Sequence, residues 1–177
     1  MRRLSPIEVC PIHGCIPAYS RIIYQWKFKY FNHYFFCPKC REMEEQGIKL
    51  FGRRLDTFSL GFSSQGSPAA ALRNWNNAVS RLKKTLLKKA IAGKEIPDDL
   101  HLLKADLSKS RCFDVSYFRG KDLDANMYYQ EYRSYCQVVT SHILQCEKEV
   151  LKSWPDAVVV GIKEDETYRN ENWRAKR

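Results

Sequence analysis

Cys10-Pro11-Ile12-His13-Gly14-Cys15 and Cys37-Pro38-Lys39-Cys40 carry soft metal ligands at matched two-residue spacing, with 23 residues between His13 and Cys37. A Cys-x-x-His or Cys-x-x-Cys turn lets both side chains of a pair reach one ion, and a structural zinc takes four such ligands in a tetrahedron. Cys10, His13, Cys37 and Cys40 are therefore the expected ligands of one structural Zn2+. Cys15 makes a wider bite with Cys10 and is the alternate ligand to His13. A metal would fold an amino-terminal lobe that has little aliphatic core.

The pattern argues against catalysis at this ion. A catalytic zinc keeps one position open and has an acid or base nearby. The His-x-Glu of nucleotide deaminases is missing around Cys10 and His13, so deamination is excluded. Phosphate-cradling, dinucleotide-binding and nucleophile-elbow motifs are also missing from the sequence. Asp98-Asp99 and Asp122/Asp124 are the carboxylates a small metal-dependent nuclease would use. Asp98 reads more simply as a helix cap and the other pair as a helix start, so a non-enzymatic role is the expectation. Cys112, Cys136 and Cys146 lack ligand spacing and read as small core residues, the alternative being a second site with His101 or His142.

The elements that must position the ligands are legible in part. Residues 24–30 alternate, with Tyr24, Trp26, Phe28 and Tyr30 on one side of a strand. Asn32-His33 reads as a turn, and Tyr34-Phe35-Phe36 returns toward the second knuckle. Short strands are expected at 49–52 and 57–62, followed by a loop. Ser67 is an N-cap with Pro68 in the first helical position, opening a helix to about Ala92 with Leu72, Trp75, Val79, Leu82, Leu86 and Ala90 or Ile91 on its apolar stripe. Trp75 reads as the anchor of that helix on the ribbon. A short helix from Ile96 to about Leu107, a strand from Arg111 to Phe118, a long helix from Leu123 to about Trp154 ended by Pro155, and a strand from Ala157 to Ile162 complete the reading. In the long helix, Tyr128, Tyr132, Tyr135, Val139, Ile143, Cys146 and Val150 form the stripe. The expected fold class is α+β: a zinc-ribbon β-hairpin lobe over residues 1–66, a mainly helical domain with short strands over 67–162, and a charged tail over 163–177.

Charge is distributed unevenly. The net charge is +10, and residues 1–94 hold 17 Lys/Arg against 5 Asp/Glu, while residues 95–177 hold 13 against 15. Between Thr57 and Lys94 there are seven basic residues and no acidic one. Such a half favours a polyanionic partner, most simply DNA or RNA. The expected phosphate contacts are Arg21, Lys27, Lys29, Arg53 and Arg54 on the ribbon side and Arg73, Arg81, Lys84 and Lys88 on the helix. Lys83, Lys84, Lys88 and Lys89 also suit the negative end of the helix dipole. No apolar run is long enough to span a bilayer, and the basic N-terminus is not followed by an apolar stretch. A reducing, cytoplasmic setting is expected, where cysteine pairs point to metal rather than disulfides.

Cys10-Pro-x-His13-Gly14, Cys37-Pro-x-Cys40 and the helical Ala71-Leu72-Arg73-Asn74-Trp75-Asn76 together resemble the small zinc-ribbon proteins of bacteriophages and prophages, in particular the Lar-like restriction-alleviation family, over residues 8–80. The first knuckle departs from that pattern in using His13, and Arg41 replaces the usual glycine after the second. The resemblance implies a cytoplasmic accessory protein of a phage or mobile element that counters host restriction. A module that binds and inhibits or recruits a host DNA-processing enzyme is the alternative function, and a small nuclease the second alternative.

Overall fold

The computed structural model describes residues 4–25, 30–47, 62–64, 66–91, 100–120 and 133–168. The fold is α+β, as the sequence predicts. Its elements are β1 (Ala18–Gln25), β2 (Tyr30–Phe36), α1 (Pro38–Glu45), β3 (Phe62–Ser64), α2 (Pro68–Ile91), β4 (Arg111–Arg119), β5 (Ser134–Thr140), α3 (Cys146–Ser153) and β6 (Ala157–Glu164). The hydrogen-bonded strand order is β3-β2-β1-β6-β4-β5.

The chain divides into two compact units that interleave in sequence: residues 1–17 with 34–105, and residues 18–33 with 106–177. This differs from the contiguous division at 66 and 162 expected above. The reason is β1, which leaves the first knuckle and pairs antiparallel with β6, Tyr19 opposite Ile162. A pairing so distant in sequence leaves no local signal.

In the first unit, α2 begins as expected. The Ser67 side-chain oxygen accepts from Ala70 N at 3.1 Å, which satisfies one of the donors a helix start leaves open. Ala71, Leu72, Trp75, Val79 and Leu86 are buried along one face. Leu82 is only half-buried. That face holds the segment leading into the first knuckle. Trp75 is fully buried and its Nε1 donates to the Glu8 carbonyl at 2.8 Å. Asn76 accepts from Glu8 N at 2.9 Å and donates to the Pro6 carbonyl at 2.7 Å. Lys83, expected as a dipole-complementing surface residue, is instead buried. It donates to Glu8 Oε2 at 2.7 Å and to the carbonyls of Leu102 and Leu103 at 3.4 and 3.3 Å. An ammonium has three protons, and all three directions are used. Residues 100–107 are not helical: Ala105 N donates to the Ile7 carbonyl, and Lys104 bridges Glu8 as an isolated antiparallel pair.

The second unit is built on β4, the central strand between β5 and β6. Its residues Cys112, Phe113, Val115, Tyr117 and Phe118 are buried, and β6 faces it with Ala157, Val158, Val159, Val160 and Ile162. Gly161 lies opposite Ser116, where an added Cβ would meet the Ser116 Oγ at 2.6 Å. Arg111 and Glu164 close one end of this pairing with a buried 2.8 Å ion pair. The expected long helix is not formed in the described part of 123–154. Residues 134–140 form β5 on β4, His142 caps a 3-10 turn through its Nδ1, which accepts from Leu144 N at 3.1 Å, and only Cys146–Ser153 is α-helical. Tyr135 and Val139, read as buried, are 69% and 53% exposed, and Val138 is buried in their place. Ile143, Cys146 and Val150 are buried as read.

The Asn32-His33 turn is also corrected, since both residues lie within β2. His33 points inward with Phe35, and its Nδ1 accepts from the Tyr19 hydroxyl at 2.8 Å. Burial and then the nearby Arg21 guanidinium hold the His33 pKa down to about 4, while burial pushes the Tyr19 hydroxyl up to about 12. His33 is thus neutral in the folded state at pH values where the unfolded chain, with a pKa of about 6.5, already takes a proton. Stability should therefore fall between pH 6.5 and 4, by on the order of 2 kcal/mol from this residue. Urea titrations at both pH values check this. The loss should be smaller in His33→Gln, and an identical loss in the variant would contradict it.

Candidate metal centre

The first knuckle is set by backbone bonds. Gly14 N donates to the Cys10 carbonyl at 2.8 Å, and Cys10 N donates to the Cys15 carbonyl at 2.9 Å. Gly14 has φ of +66°, a conformation that suits glycine, and the His101 ring lies within 3 Å of where a Cβ would project. The turn directs Cys10 and His13 to one point. The second pair does not sit on a second β knuckle. Cys37 is the N-cap of α1, with its sulfur accepting from Cys40 N at 3.4 Å, and Cys40 lies in the first turn behind Pro38. Proline at the first helical position and a capping sulfur favour a helix start here. Partial positive charge at the helix N-terminus then favours thiolate.

Cys10, His13, Cys37 and Cys40 form a compact group that can hold a metal ion, their ligand atoms all within 4.8 Å of one another. His13 Nδ1 lies 3.7, 3.5 and 3.4 Å from the sulfurs of Cys10, Cys37 and Cys40. Cys10 Sγ is 3.7 Å from Cys40 Sγ. His13 Nε2 is 3.2 Å from Met43 Sδ on α1, a weak acceptor that fixes the ring with Nδ1 inward. Three cysteines are buried and His13 is half-buried. Cys15 lies outside the ligand group, although its Sγ is 3.5 Å from Cys37 Sγ. The sequence-derived choice of His13 over Cys15 thus matches the geometry.

The electrostatics are those of a crowded thiol cluster. Cys37 is held far below the usual thiol range because it accepts hydrogen bonds from Cys10, Cys15 and Cys40. The Cys10 thiol is pushed up to about 12, chiefly through its hydrogen bond with Cys37. Cys15 and Cys40 are raised as well, by sulfur hydrogen bonding (to Cys37 for Cys15, to Cys10 and then Cys37 for Cys40) followed by burial. One thiolate charge is tolerable in this pocket and several are not, unless a cation neutralises them.

The other predicted site residues separate into three groups. Arg73, Arg81, Lys84 and Lys88 are exposed on α2. Their helical positions fall within an arc of about 80°. Arg21 is not on a phosphate-facing surface: its Nε donates to the Tyr19 hydroxyl at 3.0 Å, its Nη2 meets Glu147 at 2.9 Å, and its side chain is 10% exposed. Alternation on β1 could not distinguish a buried cation from an exposed one. Lys27, Lys29, Arg53, Arg54, Asp98, Asp99, Asp122 and Asp124 lie outside the described residues. There is no second metal-ligand cluster among the described residues: His142 is a buried cap, and His101 packs against Gly14. Among them, too, no helix is long and apolar enough to cross a membrane. Comparisons with family models, curated proteins and solved structures return no match.

Proposed function

We propose that this chain is a zinc-dependent, non-enzymatic nucleic-acid-binding protein, in which one Zn2+ folds the first unit and α2 docks on phosphates. The observation that carries the metal assignment is the spacing of the four ligand atoms. Bonds of about 2.3 Å to sulfur and 2.05 Å to nitrogen give tetrahedral edges of about 3.8 Å between sulfurs and about 3.55 Å from sulfur to nitrogen. The separations of 3.7 Å and of 3.4 to 3.7 Å match these edges. A closed three-sulfur, one-nitrogen set suits a structural ion, since every position is taken by protein.

The partner assignment is supported by α2. It has no acidic residue, and Arg73, Arg81, Lys84 and Lys88 share one exposed face. From Arg73 to Lys88 that face runs about 22 Å along the axis. Such a rod of positive charge suits a phosphate backbone and carries no base-reading pattern. The resemblance to Lar-like proteins supports a role in countering host restriction, carried out in the cytoplasm of a bacterial host.

Fluorescence anisotropy with duplex and single-stranded oligonucleotides across a salt series tests the partner. Binding should weaken steeply with salt. Changing Arg73, Arg81, Lys84 and Lys88 together to alanine should lower the log–log salt slope on duplex DNA by about 3–4. An unchanged slope, or no complex at low salt, would refute nucleic-acid binding by this face.

A further inference from the structure

Cys15 is a fifth thiol at a four-ligand centre. Its Sγ touches that of Cys37 at 3.5 Å without joining the ligand group. The backbone fixes it there, because Cys15 follows the left-handed Gly14 and its carbonyl accepts from Cys10 N. We infer that Cys15 and Cys37 form a redox-sensitive pair, in which two-electron oxidation by a peroxide joins them as a disulfide and releases the metal. This inference rests on the zinc reading above.

The step balances with peroxide as the named oxidant. Cys15 gives up its proton, its thiolate takes one peroxide oxygen to become a sulfenic acid, and that proton joins the departing hydroxide as water. The Cys37 thiolate then attacks Cys15 Sγ, the S–O bond breaks, and hydroxide departs. The sum is one thiol, one thiolate and one peroxide giving one disulfide, one water and one hydroxide. Cys15 is the better first target because it lies outside the ligand group, while Cys37 is one of the four ligands that the ion would occupy. A disulfide of about 2.05 Å requires the two sulfurs to close by only about 1.5 Å. Cys10, His13 and Cys40 then remain, three ligands where a structural zinc needs four. The other close pairs, Cys10 with Cys40 at 3.7 Å and Cys37 with Cys10 or Cys40, each join two members of the ligand group, and both would have to leave the ion.

The test treats the purified, metal-loaded protein with hydrogen peroxide. Zinc release is followed with a chromogenic chelator, and disulfides are mapped by mass spectrometry after thiol blocking. Zinc should appear in step with a Cys15–Cys37 disulfide, and a dithiol with added zinc should reverse both. Cys15→Ala should hold its zinc before treatment and release it about tenfold more slowly. Equal release rates in wild type and Cys15→Ala, or a disulfide joining any other pair, would overturn the inference. Should Cys15→Ala fail to fold, Cys15→Ser and the wild-type disulfide map decide in the same way. A protein isolated without zinc would refute the metal reading itself, while the mapped disulfide would still report on the sulfur pair.

Discussion

On the zinc reading, metal removal should destabilise the first unit. Chelation at neutral pH, or Cys37→Ser, is expected to lower the melting transition of that unit by at least about 10–20 °C, the counterpart of about 5 kcal/mol in a chain of this size. The physical reason is what the ion leaves behind. Cys10, Cys37 and Cys40 are buried together with the half-buried His13, so that without a cation their ligand atoms are left crowded against one another. Zinc also releases protons when thiols bind it, so its affinity should fall as pH is lowered. Hydrogen exchange resolves the effect by residue. Amides of residues 10–15 and 37–46 should lose protection on chelation, and retained protection would contradict the assignment.

Lys83→Met is expected to cost about 3–5 kcal/mol, because it leaves the Glu8 carboxylate without its close partner in a buried setting. The Glu8 side chain is 7% exposed, and its other cation among the described residues, Lys104, lies 3.8 Å away with a side chain that is 58% exposed. The double variant Glu8→Leu with Lys83→Met should recover most of that loss, because an apolar pair no longer carries a desolvated charge. Denaturant titrations of the two single variants and the double variant measure the coupling. Simple additivity would show that the ion pair is not the reason α2 holds the segment leading into Cys10. The cost should also appear as weaker metal binding, since Glu8 lies two residues before the first ligand.

The Cys/His group that can hold a metal was legible in the sequence because the chemistry constrains it locally. A two-residue spacing is short enough to be decided by one turn, and Ser67-Pro68 likewise fixes the start of α2 without help from elsewhere. The strands β4 and β6 stood out as apolar runs because consecutive residues of each are buried, so both faces of the sheet are covered there. The region 134–150 failed for a specific reason. Tyr135, Val139, Ile143, Cys146 and Val150 fall at three- and four-residue steps, but only the last three lie on helical turns. Tyr135 and Val139 fit the same spacing while standing on the exposed face of β5. Helix α1 was missed because its signal is a cap and a proline, with just one buried residue, Cys40. Lys83 and Arg21 were misplaced because their partners, Glu8 and Glu147, are 75 and 126 residues away. Charge at a position does not report burial when the compensating group is that remote.

X-ray absorption at the zinc edge of the purified protein decides whether these four residues hold an ion. One zinc per chain is expected, with three sulfur ligands at about 2.3 Å and one nitrogen at about 2.0–2.1 Å. A folded protein without zinc, or a shell of four sulfurs that puts Cys15 in the place of His13, would contradict it.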